Sequence, residues 1–174
     1  MIAIVNRIVD WVRVAASWLS IFGGAILIFS MLAVLADVVT RTIFGATGGS
    51  INLTFRGSYE IVRYGLLLSM LYALPYALKD GQVFVEIFTE KLPQRIKNIM
   101  AGVFVFFFGI FGFLLTNGLI ERIERAARTG ETTQDLGLPL GQIYYFALIG
   151  TVMLGIRGIT ISWEYFTAKT GEDE

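Results

Sequence analysis

The stretch Ile99-Met100-Ala101-Gly102-Val103-Phe104-Val105-Phe106-Phe107-Phe108-Gly109-Ile110-Phe111-Gly112-Phe113-Leu114-Leu115-Thr116-Asn117-Gly118-Leu119-Ile120 contains no ionisable side chain. As a helix rising 1.5 Å per residue, it covers about 30 Å, the thickness of a bilayer's hydrocarbon core. Its six phenylalanines fall all around the circumference, so some of them must face lipid or a partner protein. Asn117, near its end, is its most polar member.

Working outward, three more runs have the same character: Ala15 to Val39, Tyr59 to Leu78 and Gln142 to Ile161. The chain has 174 residues, of which 55% are hydrophobic, with a mean hydropathy of +0.68. A water-soluble domain of that size has too little interior to bury so much apolar surface. The expectation is an all-α membrane protein forming one domain over residues 1–174. It has four transmembrane helices, at about 15–39, 59–78, 99–120 and 142–161. The first run is far longer than the roughly 7–15 apolar residues of a signal peptide, and no small-residue cleavage site follows it, so it is read as a retained span.

Several chemistries are excluded by composition. There is no Cys and no His. Haem b ligation, thiol exchange and the usual zinc sites therefore have no ligands here. The 14 basic and 14 acidic residues cancel, and no basic block is present, which argues against a nucleic-acid partner. No cofactor and no catalytic residue is expected.

Aromatic rings mark the expected interfaces: Trp11, Trp18, Tyr59, Tyr72, Tyr76, Tyr144, Tyr145, Trp163 and Tyr165. Four spans put both termini on one side. That side carries seven basic residues (Arg7, Arg13, Lys79, Lys91, Arg95, Lys97, Lys169), against six on the other (Arg41, Arg56, Arg63, Arg122, Arg125, Arg128). The positive-inside rule favours cytoplasmic termini by that single charge.

Between spans two and three, Val83, Phe84, Ile87, Phe88 and Leu92 share one helical face, with Glu86, Thr89 and Glu90 on the other. This pattern predicts a short interfacial helix over about 82–92, stopped at Pro93, with a two-faced loop strand over Val83 to Ile87 as the other reading. Beyond span three, Glu121 with Arg125 and Glu124 with Arg128 have the i,i+4 spacing that extends a helix into water. Small residues recur every fourth position as Ala16, Ser20 and Gly24, as Gly65, Ser69, Ala73 and Ala77, and as Ala147, Thr151 and Gly155. Helices in lipid associate through such stripes, which read as packing faces. Pro75 predicts a local bend near the end of span two.

The charged residues avoid the middle of the spans. Asp37 and Arg41 close span one, and Glu60 and Arg63 open span two. Antiparallel neighbours would bring all four to one surface. Arg157 and Glu164, seven apart on span four, share a face at the other surface. Two readings stand: ion pairs that fix helix register, or contacts that dock a second membrane subunit. A self-sufficient ion-coupled transporter places its site near the bilayer centre, often on broken helices. No carboxylate and no paired broken helices lie there, which favours an accessory subunit.

Four motifs, in order, carry a family resemblance. They are Asp37-Val38-Val39-Thr40-Arg41-Thr42-Ile43-Phe44, Tyr59-Glu60-Ile61-Val62-Arg63, Asp80-Gly81-Gln82-Val83-Phe84-Val85-Glu86 with Leu92-Pro93, and Leu138-Pro139-Leu140-Gly141-Gln142-Ile143-Tyr144-Tyr145. Together they resemble the DctQ-like small membrane subunit of tripartite ATP-independent periplasmic (TRAP) transporters, over roughly Trp18 to Trp163. Gln82 departs from a common histidine and Thr42 from a common tyrosine. The resemblance implies a bacterial or archaeal inner-membrane protein with cytoplasmic termini, surrounded by membrane lipids. Its implied partners are a large membrane subunit that carries the substrate and sodium sites, and a periplasmic substrate-binding protein that delivers carboxylate-type substrates. The small subunit then serves as scaffold for the elevator motion of the large one. The alternative is an autonomous small four-helix transporter, which should show a lone carboxylate midway along span one, where this chain has Gly23, Gly24, Ala25 and Ile26.

Overall fold

A computed structural model describes residues 2–50, 57–79 and 93–167. Four α-helices account for nearly all of them: α1 (Ile2–Ala46), α2 (Ser58–Ala77), α3 (Gln94–Thr129) and α4 (Leu140–Thr167). The chain is an all-α membrane protein. The predicted interfacial helix, with Val83, Phe84, Ile87 and Phe88, lies outside the described residues.

Three helices are long and apolar enough to cross a membrane, over Val9–Ala46, Gln94–Thr129 and Leu140–Thr167. α2 has 20 residues, but Glu60, Arg63, four tyrosines and Pro75 dilute its hydropathy below that of the others. α1 and α3 overshoot the expected spans. Their 45 and 36 residues far exceed what about 30 Å of hydrocarbon requires. The helical continuation through Glu121–Arg128 is present, and Arg128 meets Glu124 at 3.8 Å. Gly130 ends it with φ +68°, a left-handed conformation suited to glycine, and its N–H returns to the Ala126 carbonyl at 2.9 Å.

Helix contacts follow the order α1–α2–α4–α3, with α1 touching α4 more lightly. α1 and α2 run antiparallel: Gly23 lies against Ser69 and Tyr72, and Ser30 and Ile26 lie against Gly65. α3 and α4 are antiparallel as well, with Gly102 against Tyr165 and Phe166, Gly109 against Gly158, and Gly112 against Gly155. The start of α1, the end of α2, the start of α3 and the end of α4 therefore share one end of the bundle.

The buried positions have a regular period. On α3 they include Gly102, Val105, Gly109 and Gly112, continuing through half-buried Thr116 and Leu119 to buried Ile123 and Ala126. On α4 they include Ala147, Thr151, Leu154, Gly158 and Ile161. These alternating steps of three and four are the seam of a coiled coil. α1 and α2 meet on steps of seven, Gly23 against Tyr72 and Ser30 against Gly65, and buried Ala16 and Ser58 continue the same period on their own helices.

The observed packing face corrects part of the predicted stripe. Gly24 has nothing within 4 Å of where a Cβ would stand, whereas a Cβ on Gly23 would sit 2.9 Å from Tyr72 Cβ. Ala16 is fully buried and Ser20 half-buried. Four-residue spacing drifts around a helix, so it leaves the seam within two turns, while seven-residue spacing stays on it. On α2, Gly65 and Ser69 are buried and Ala73 is half-buried, as a contact face requires. Pro75 is also buried, and it has no N–H to give Leu71 O. Gly150 of α4 lies over that carbonyl, where an added Cβ would stand 2.9 Å from the oxygen.

Candidate subunit interfaces and charged clusters

Three side-chain hydrogen bonds tie the helices together inside the apolar layer. Tyr72 donates to Phe146 O at 2.9 Å, joining α2 to α4. Thr116 donates to Thr151 Oγ1 at 3.0 Å, and Ser162 donates to Gly102 O at 2.9 Å, both joining α3 to α4. Each is worth roughly 0.6 kcal/mol in a membrane, and their value lies as much in fixing register. Between them, Gly109, Gly112, Gly155 and Gly158 bring the α3 and α4 backbones into direct contact. A Cβ on Gly112 would stand 2.5 Å from Gly155 N, and one on Gly158 would collide with Gly109 Cα.

At the end where α1 closes and α2 opens, the four expected charges do not form a single cluster. Asp37 accepts from Arg41 Nε at 2.9 Å within α1. Its Oδ2 is thereby paired, while buried Oδ1 has no hydrogen-bond partner among the described residues. Glu60 does not pair with Arg63. Its carboxylate accepts the backbone N–H of Asp135 at 2.8 Å and of Leu136 at 3.1 Å, from the loop joining α3 to α4. Arg63 instead lies over the Tyr64 ring, 5.5 Å from its centroid.

The loop that holds Glu60 is tightly organised. Thr133 N–H donates to Leu138 O at 2.8 Å, Leu140 N–H donates to Glu131 O at 3.0 Å, and Gly137 turns with φ +65°. Leu136 packs over Gly57, where a Cβ would come within 2.6 Å of it. Gly57 itself starts α2 with φ +95° and offers no side-chain cap, so Glu60 and the loop organise that helix end together. Sequence spacing gave no sign of this partner, which lies 75 residues away.

At the opposite end, Arg157 and Glu164 share the expected face without forming an ion pair. Glu164 lies 3.9 Å from Lys79 of α2. Arg157 is only 3% exposed, and its Nε and Nη1 have no hydrogen-bond partner among the described residues. The charges that act on it are Glu164, which attracts it, and Arg13 of α1, which repels it.

The outward faces differ between helices. α1 exposes Trp18, Ile28, Phe29, Leu32, Leu35 and other apolar residues along nearly its whole length. α3 exposes Phe107, Phe111 and Leu114, and Phe104 and Phe108 pack ring on ring, their centroids 5.1 Å apart. Among the described residues no three or more His, Cys, Asp or Glu side chains come together as metal ligands would. The described ionisable groups outside the ends of the bundle hold no substrate-sized constellation, and the inter-helix seams are filled by glycine, threonine and backbone.

Such a bundle defines a class: a small multi-pass membrane protein with a helix-packed interior. Comparison with known families makes the class specific. The family described as Tripartite ATP-independent periplasmic transporters, DctQ component, matches residues 30–168, which takes in the described chain from Ser30 of α1 to the end of α4. The chain belongs to that family and is a small membrane component of a TRAP transporter. No curated protein and no solved structure matches it.

Proposed function

We propose that this chain is the non-catalytic scaffold subunit of a sodium-coupled TRAP transporter for carboxylate-type substrates. It holds a large membrane subunit in place, and that subunit receives substrate from a periplasmic binding protein. α2 crosses the bilayer as a fourth span, alongside the three more apolar helices. The termini face the cytoplasm of a bacterial or archaeal inner membrane, and the loop between α3 and α4 faces the periplasm.

The observation that carries this reading is how the inter-helix seams are filled. Gly109 meets Gly158, Gly112 meets Gly155, and Thr116 bonds Thr151, so the α3–α4 seam at these levels is closed by backbone contact and a hydroxyl pair. A fixed scaffold needs long, tilt-resistant helices, and α1 and α3 extend well past the apolar layer. The pair Asp37–Arg41, with Arg63 one helix away, offers charge at a membrane surface where a larger partner can seat. The autonomous-transporter reading lacks its carboxylate, since Gly23 in the middle of α1 is sealed against α2.

The test is co-expression of the tagged chain with the large subunit of its own transporter. The large subunit is expected to co-purify, and less of it after Arg41→Ala or Arg63→Ala. A chain that purifies folded and unaccompanied under those conditions contradicts the proposal. Because the chain has no cysteine of its own, orientation is testable separately. Arg128→Cys should react with an impermeant maleimide added from the periplasm, and Lys79→Cys should not.

A further inference from the structure

α3 carries a second seam on its outer side. Val103, Ile110 and Asn117 recur every seven residues, and Phe106, Phe113 and Ile120 fill the intervening positions. All six are exposed. Along part of this stripe Ile110, Phe113, Leu114, Thr116, Asn117 and Ile120 line a shallow, open groove of about 480 Å³. Asn117 stands in that groove and makes no hydrogen bond within the described chain. A carboxamide left against hydrocarbon leaves donors and acceptors unmet, which a bilayer core does not tolerate cheaply. A single Asn at one position of an apolar heptad seam is a known device for fixing the register of a partner helix.

α1 offers the useful contrast. Every exposed residue between Trp18 and Val39 is apolar, so lipid alone satisfies that face. Lipid tails cannot do the same for α3.

We propose that the outer seam of α3 is the docking face for a transmembrane helix of the large membrane subunit, with Asn117 hydrogen-bonded to a polar side chain of that helix. This rests on the accessory-subunit reading above. Asn117 is the only exposed side chain with hydrogen-bonding groups between Ile99 and Ile120, so it sets the depth at which the partner helix sits.

The test uses the full transporter in membranes, with a photo-crosslinking amino acid placed at Ile110 or Ile120 on α3, or at Ile28 or Leu35 on α1. Crosslinks to the large subunit are expected from the α3 positions and not from Ile28 or Leu35. Those two lie on the apolar face of α1 inside the span, apart from the surface charge of Arg41. Asn117→Leu should lower the retained large subunit roughly three- to tenfold, with Asn117→Ser losing less. The thermal midpoint of the isolated chain should not fall, because Asn117 has no bond there to lose. Crosslinks from α1 alone overturn the seam while leaving the accessory reading intact. A crosslinked pair of identical chains, or no protein crosslink from α3 while the large subunit still co-purifies, also overturns it. Loss of co-purification in the unmodified transporter defeats the accessory reading itself.

Discussion

Half of the most apolar window of α4 is buried inside this chain, against 11% of the corresponding window of α1. Both helices are long and apolar enough to cross a membrane. The less apolar of the two, α4, is the more buried, so hydropathy does not explain the difference. What separates them is the small residues. α4 sets Gly150, Gly155 and Gly158 against the backbones of α2 and α3, while α1 has one such close approach, at Gly23. Helices in lipid gain little from hydrophobicity toward each other, so burial follows where backbones are able to touch. α4 is thus the finished interior of the molecule, and the outer lengths of α1 and α3 are surfaces completed by the membrane or by another chain.

The sharpest way to break that contrast is to fill the glycines. Gly112→Leu or Gly158→Leu should cost about 3 kcal/mol or more, because the added side chain meets backbone that cannot move aside. Loss of monodisperse protein in detergent is the readout. Gly24→Leu, in open space, should stay within about 0.5 kcal/mol of the parent. Equal losses at Gly24 and Gly112 would erase the distinction between the two regions.

Next in size is the clamp on the α3–α4 loop. Glu60→Gln removes the charge that both loop amides address. Hydrogen exchange at Asp135 and Leu136 should then speed up on the order of tenfold, with α4 itself unaffected. Unchanged exchange would mean the loop is held by its own hydrogen bonds alone.

Arg157→Met tests whether the interior is complete without the one guanidinium buried among the described residues. Replacing a buried charge that lacks a hydrogen-bonding partner by an apolar side chain of similar size should leave stability unchanged or raise it by about 1–2 kcal/mol. A marked fall in thermal midpoint would show that Arg157 holds the bundle together. Smallest is Tyr72→Phe, which deletes the bond to Phe146 O and keeps the ring. A loss of roughly 0.6–1.5 kcal/mol is expected in thermal or denaturant unfolding.

The sequence was informative about helices and poor about seams. Apolar runs located all four helices, and the i,i+4 charge pairs foretold the long tail of α3. The α3 seam went unseen because Gly102, Gly109 and Gly112 stand among phenylalanines that dominate any reading of that run. Their spacing of seven and three was the available signal, and it matches Gly155 and Gly158 on α4. On α1 the contact fell on Gly23 rather than its neighbour Gly24, a choice that depends on helix rotation and not on composition. Glu60 was read with Arg63 because they are near in sequence. Its actual partners are loop amides, which any residue but proline supplies and which therefore leave no mark in the sequence.

The central claim is that this polypeptide supports transport without performing it. Liposomes holding the purified chain alone, with a sodium gradient and the carboxylate taken up by its whole transporter, test this most directly. Uptake should equal that of protein-free liposomes, and should appear only when the large subunit and the binding protein are added. Sodium-driven accumulation by this chain alone would contradict it.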